Sequence, residues 1–195
     1  TINLGGALLS SAGIYDIFVA KYSGVDGRHL WSLRFGGTGF DRDPGIAVDD
    51  AGDVFVIGVF EGSVNFGGGV LASAGFADIF LAKYSGVDGR HLWSRRMGGL
   101  GDDIGTGIAT DGVDVVATGY FNGSVDFGGG ALMSAGARDI FLTKYSGAGA
   151  HVWSERFGSA GEQFAAAVAV DSAGSVLVTG NFEGTVSFGG GLLAA

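Results

Sequence analysis

The residues that could do chemistry in this chain recur at one interval. Gly36-Gly37-Thr38-Gly39-Phe40-Asp41 and Gly98-Gly99-Leu100-Gly101-Asp102-Asp103 both fit the start of the calcium-binding G-G-x-G-x-D nonapeptide, which makes Asp41 and Asp103 the candidate metal ligands. That nonapeptide works because copies every nine residues stack and share oxygen ligands. Here Gly36 and Gly98 lie 62 residues apart, Asp43 and Gly105 stand where a large apolar residue is needed, and a third copy has Gln163 for the aspartate. The pattern favours a turn over a calcium site. His29, His91 and His151 each stand two residues before a tryptophan, Trp31, Trp93 and Trp153. These six are the candidate ligand-binding residues. Imidazoles so far apart share a metal only if the copies converge on an axis, and at the start of an outer strand they would not. An exposed indole stacks on sugars, but one indole per copy reads first as core between sheets.

Lys21, Lys83 and Lys144 recur as well, and repetition favours pairing with a repeated acid such as Asp16 or Asp49 over a catalytic role. No G-x-S-x-G elbow, no H-E-x-x-H and no G-x-x-x-x-G-K occurs, so neither an enzyme nor a cofactor is expected. Asn122-Gly123-Ser124 matches a glycosylation sequon, a pattern short enough to arise by chance.

These residues sit in three tandem copies of one unit. Asp16 to Gly24 returns at Asp78 to Gly86 and at Asp139 to Gly147, and the Phe-Gly-Gly-Gly of Phe66 recurs at Phe127 and Phe188 at a period of 61. The head Thr1 to Gly6 and the tail Thr185 to Ala195 both repeat the stretch that begins at Ser63. Each period reads as four strands, here Gly45–Asp49, Asp53–Phe60, Asp78–Tyr84 and His91–Met97. Between the second and third lies a loop, residues 61–76, with a short extended piece at Val64–Phe66. No window keeps helical spacing, and β-branched and aromatic residues fill the runs. Val54-Phe55-Val56-Ile57 is apolar on both faces, so such a strand needs a sheet above it and another below.

Composition agrees. Forty glycines against one proline, without a G-X-Y period, mean many tight turns, and 47% apolar residues exclude a disordered chain. The net charge of −9, with basic residues scattered singly, argues against a nucleic-acid partner. There is no cysteine, hence no disulfide framework or thiolate metal site. No apolar run approaches the eighteen residues of a membrane-spanning helix. The chain opens on Thr1 without a signal segment and reads as a fragment or a processed region.

Taken together, Asp-Ile-Phe-Val-Ala-Lys-Tyr, Trp-Ser, Phe-Gly-Gly-x-Gly, Gly-Ile-Ala-Val-Asp and Val-x-Val-x-Gly-x-Phe resemble the bacterial SBBP, or "seven-bladed β-propeller", repeat over essentially the whole chain. The Gly-Ile-Ala-Val-Asp step also resembles the NHL repeat. The resemblance implies a propeller fold and a secreted or cell-surface setting, and carries no catalytic residue. The expectation is an all-β chain of β-propeller blades, each of four antiparallel strands, in three repeats of about 61 residues. Residues 1–44 would be the second half of a split blade, 45–104 and 105–165 whole blades, and 166–195 the first half of another. Two such chains would close a six-bladed ring as a homodimer, or further blades outside this chain would complete it. The expected function is a non-catalytic binding scaffold that presents loops to a protein or glycan. The alternatives are a lectin with one shallow site per blade, in the loops Gly36–Asp43 and Val25–His29, and a propeller enzyme acting on polysaccharide.

Overall fold

The glycine-punctuated apolar runs build eighteen strands and no helix in a computed structural model that describes all 195 residues. β1 (Ile17–Tyr22) and β2 (His29–Phe35) form an antiparallel pair. Next, β3 (Arg42–Val48), β4 (Val54–Phe60), the short strands β5 (Ser63–Asn65) and β6 (Val70–Ala72), β7 (Asp78–Tyr84) and β8 (His91–Met97) make a four-stranded sheet in the order β3-β4-β7-β8, with β5-β6 as a separate hairpin. The pattern repeats in β9 (Ile104–Thr110), β10 (Val115–Phe121), β11 (Ser124–Asp126), β12 (Ala131–Met133), β13 (Asp139–Tyr145) and β14 (His151–Phe157). The chain ends in two pairs, β15 (Gln163–Val170) with β16 (Val176–Phe182) and β17 (Thr185–Ser187) with β18 (Leu192–Ala194).

Two details differ from the sequence reading. Residues 61–76, expected as a loop, hold the β5-β6 hairpin. The Asn65 side-chain oxygen accepts the N–H groups of Gly67 and Gly69 at 2.8 and 3.2 Å, and both glycines have positive φ. The triple glycine is thus the turn of a hairpin whose strands are too short to show alternation. The first strand also starts earlier, at Arg42, across a register shift where Asp43 takes a φ of 56°.

The sheets stack face to face, which is why strands apolar on both sides are stable. β4 and β7 are buried at every position. One core lies between β1-β2 and the next sheet and joins Ile17, Val19, Trp31 and Phe35 to Val56, Phe60, Phe80 and Tyr84. A second, equivalent core joins Ile57, Ile79 and Leu81 to Val115, Phe121 and Phe141. Burying each such side chain contributes about 1.5–3 kcal/mol. The leading strands β3, β9 and β15 come nearest to one another. Thr106 Oγ1 donates to Ala165 O at 2.7 Å, Asp50 N donates to Gly112 O at 2.9 Å, and a Cβ on Gly107 would stand 3.1 Å from the Ala167 backbone. Small residues on the leading strands let the sheets converge on one side and fan out on the other. The ends of the stack stay open, and no closed ring forms.

Candidate functional site

Each repeated side chain has an identifiable task within or between sheets. Lys83 Nζ lies 2.8 Å from Asp49 and 3.5 Å from Asp53 in the turn between β3 and β4, and donates to Gly147 O of the next sheet at 3.3 Å. Burial pushes the Asp49 carboxyl up, but the hydrogen bond and charge of Lys83 outweigh it and hold the group below the usual range. Trp93 Nε1 donates to the same Gly147 O at 3.0 Å. One repeat earlier, Lys21 and Trp31 both donate to Gly86 O, at 2.7 and 3.3 Å. Lysine and tryptophan together clamp the neighbouring sheet's turn, and Gly89 and Gly149 give the indoles room, since a Cβ there would press on Trp31 or Trp93.

Asp16, expected opposite a lysine, instead pairs with Arg34, as Asp78 does with Arg96 and Asp139 with Arg156. These buried acids lie against Gly36, Gly98 and Gly158, where any Cβ would strike the carboxylate. The calcium candidates brace the same loops. Asp41 accepts from Gly37 N at 2.8 Å, and Asp103 accepts from Gly99 N at 2.7 Å and Asn122 N at 3.3 Å. Burial pushes Asp103 up to about 6, with the charges of Asp78 and Asp102 adding to the effect, and burial also raises Asp41. In the third copy Gln163 does the work with a neutral amide, accepting from Ser159 N at 3.0 Å and donating to Glu183 O at 3.1 Å. No group of three or more His, Asp or Glu is placed to hold a metal ion.

The histidines stay apart, one per copy. The rings of His29, His91 and His151 cover Gly5-Gly6, Gly67-Gly68 and Gly128-Gly129, and meet Tyr22, Tyr84 and Tyr145 edge-on at 5.7–5.8 Å. The Nε2 of each is buried without a hydrogen-bond partner, and burial holds His91 below its ordinary value. They lock the small hairpins onto the sheets.

The copies differ most where the structure brings their differences together. Beside the glycine loops, parallel bridges join Tyr15 to Phe40, Ala77 to Asp102 and Arg138 to Glu162. One position in the repeat therefore holds an aromatic pair with centroids 5.8 Å apart, then a small residue with an acid, then an ion pair of 3.7 Å. At the third, the Arg138 guanidinium lies 5.6 Å from the ring centroids of both Tyr120 and Phe164. A groove of about 300 Å³ opens there, lined by Phe76, Asp102, Asn122, Arg138 and Glu162 among others, and Phe76 is 77% exposed. Burial raises the Tyr120 hydroxyl, while Arg138 pulls it down. Sequence reasoning passed over these residues because it sought what the copies share. The usable signal was where they diverge.

Face-packed four-stranded antiparallel sheets, converging on their leading strands and repeated in sequence, define a propeller-like repeat protein. No family model matches the chain. It is similar to an uncharacterized WD repeat-containing protein of Acanthamoeba polyphaga mimivirus, at 26% identity over 205 aligned residues, 86% of this chain. WD repeats build propeller blades of four strands, so the similarity agrees with the sheets described. The chain spans 14% of the length of that viral protein.

Proposed function

We propose that the chain is a non-catalytic binding scaffold whose ligand face is the loop-end groove lined by Phe76, Asp102, Asn122, Arg138 and Glu162, with Arg138 held against the rings of Tyr120 and Phe164. The observation that carries this reading is that positions differing between otherwise matching copies converge on one groove with an exposed aromatic and charges of both signs. Such a surface suits a polar partner, a protein loop or a glycan, held by stacking and a few directed hydrogen bonds. A WD-repeat relative supports a scaffold role. A secreted or surface setting follows the SBBP resemblance, and the ring would be completed by self-association or by further blades. The polysaccharide-enzyme alternative has one observation in its favour, that Asp102 and Glu162 line the same groove.

The test is a glycan array and a panel of immobilised proteins probed with the wild-type chain and with Arg138→Ala and Tyr120→Ala. Binding that falls at least tenfold in both variants, with the thermal midpoint kept, is expected. Binding indifferent to both but lost on changing the Val25–His29 turn would place the ligand face at the opposite end. Turnover of a bound polysaccharide that stops in Asp102→Asn would replace the scaffold reading with the enzyme.

A further inference from the structure

One repeated position is filled in three different ways beside the glycine loops. Across the parallel bridges Tyr15 faces Phe40, Ala77 faces Asp102 and Arg138 faces Glu162. The third position is complete, because the Arg138 guanidinium lies 3.7 Å from Glu162 and 5.6 Å from the ring centroids of Tyr120 and Phe164. The second has the acid without the cation. Ala77 stands where the arginine would be, and Asp102 is exposed and forms no ion pair, whereas Asp78 has Arg96 and Glu162 has Arg138. We propose that the groove takes an arginine side chain of a partner protein, whose guanidinium pairs with Asp102 and stacks on Phe76. The inference rests on the reading of this groove as the ligand face and names the chemistry that the face selects.

The groove offers acceptors and an aromatic face, and almost no free donor. Asp102 contributes a carboxylate with no counter-charge. The Asn122 side-chain amide donates to Ala137 O, which leaves its oxygen free to accept. Arg138 is engaged by Glu162 and by two rings, so it walls the groove and brings the ligand no unspent charge. Beneath Ala77 the counterparts of Tyr120 and Phe164 are Val59 and Ile104, both buried, so the second position has no rings of its own. Phe76, 77% exposed in the same groove, supplies the aromatic face instead. Burial chiefly, and the charge of Asp102 after it, raise Asp103 and the Tyr120 hydroxyl, so the unopposed carboxylate acts on its surroundings.

These features separate the possible ligands. A guanidinium is planar, weakly hydrated and rich in N–H donors, so it meets a carboxylate edge-on while its face lies on a ring. A lysine ammonium is a compact, strongly hydrated charge that gains less from the same ring. A neutral sugar would stack on Phe76, but covering Asp102 with it would strip water from a carboxylate without supplying a counter-charge. An acidic segment is repelled, both locally and by the net charge of −9, which steers cations toward the molecule.

Fluorescence anisotropy of short labelled glycine-serine peptides tests this. A peptide carrying paired arginines should bind the wild-type chain, its lysine counterpart about three- to tenfold more weakly, and its glutamate counterpart not measurably. Asp102→Asn should weaken the arginine peptide about tenfold and Phe76→Ala about three- to tenfold, with the thermal midpoint kept because both side chains are exposed. Glu155→Gln removes the same charge from an exposed position on β14, outside the groove, and should leave the affinity unchanged. Equal weakening in Asp102→Asn and Glu155→Gln would reduce the effect to overall charge and overturn the proposal, as would arginine binding indifferent to Asp102→Asn. A neutral oligosaccharide that binds, is lost on Arg138→Ala and is not accompanied by arginine binding would overturn the arginine assignment and leave the scaffold reading standing. A groove that binds neither probe would remove both.

Discussion

At the scale of single residues, the third copy is a natural substitution experiment on the other two. Gln163 fills the loop-bracing position with a neutral group that both accepts and donates, whereas Asp103 must hold a buried carboxyl raised to about 6 and Asp41 one raised in the same direction. The sign follows from proton linkage. Between the unfolded value near 4 and the folded value near 6, the native state binds more protons, so this group's contribution to stability is fully present below about 4 and is lost as pH rises through 6. Replacing Asp103 with Gln should then raise stability at pH 7 by on the order of 1–2 kcal/mol and flatten the pH profile between 4 and 6, as urea melts at several pH values would show. An unchanged profile would mean that the carboxyl is not raised. The same comparison bears on calcium, since a position that works as glutamine needs no cation to be stable. The aspartates were legible as turn residues from their glycine context. Their pairing was not, because Asp16 and Asp49 look alike in sequence and only packing assigns one to Arg34 and the other to Lys83.

Among elements, the long strands were readable and the short ones were not. Asp78–Tyr84 and His91–Met97 fall where β-branched and aromatic runs end at Asp-Gly and Gly-Gly. The β5-β6 hairpin escaped because three-residue strands carry no periodicity, and its fixation depends on a residue 23 positions away: the His91 ring lies on Gly68, where an added Cβ would collide with it. Gly68→Ala should therefore cost about 1–3 kcal/mol, the range for overpacking. In a His91→Ala background the same change should cost under about 0.5 kcal/mol, since the collision is gone. Equal costs in both backgrounds, read from denaturant midpoints, would mean that the glycine is needed for another reason. The cluster at the proposed groove was invisible for a related cause: Tyr120, Arg138 and Phe164 come from three strands or loops, and only the stacking of leading strands draws them together.

For the whole molecule, repetition governs what is stable. The four-stranded sheets have a neighbour on each side, and their middle strands β4, β7, β10 and β13 are buried at all or nearly all positions, while β1-β2 and β15-β16 carry the same kind of sequence with one edge bare. Stability in such stacks is a sum of neighbouring contacts, so the two-stranded sheets β1-β2 and β15-β16 are the least protected part of the structure described. With a net charge of −9 per copy, long-range repulsion opposes association and salt screens it. The most direct measurement is therefore the solution mass of the chain by light scattering after size exclusion, across concentration and at about 0.15 M salt. If self-association completes the ring, one species near twice 19.6 kDa persists on dilution to the micromolar range. A single 19.6 kDa species at every concentration, or an open-ended ladder of larger ones, would contradict the proposal that self-association of this chain completes the ring.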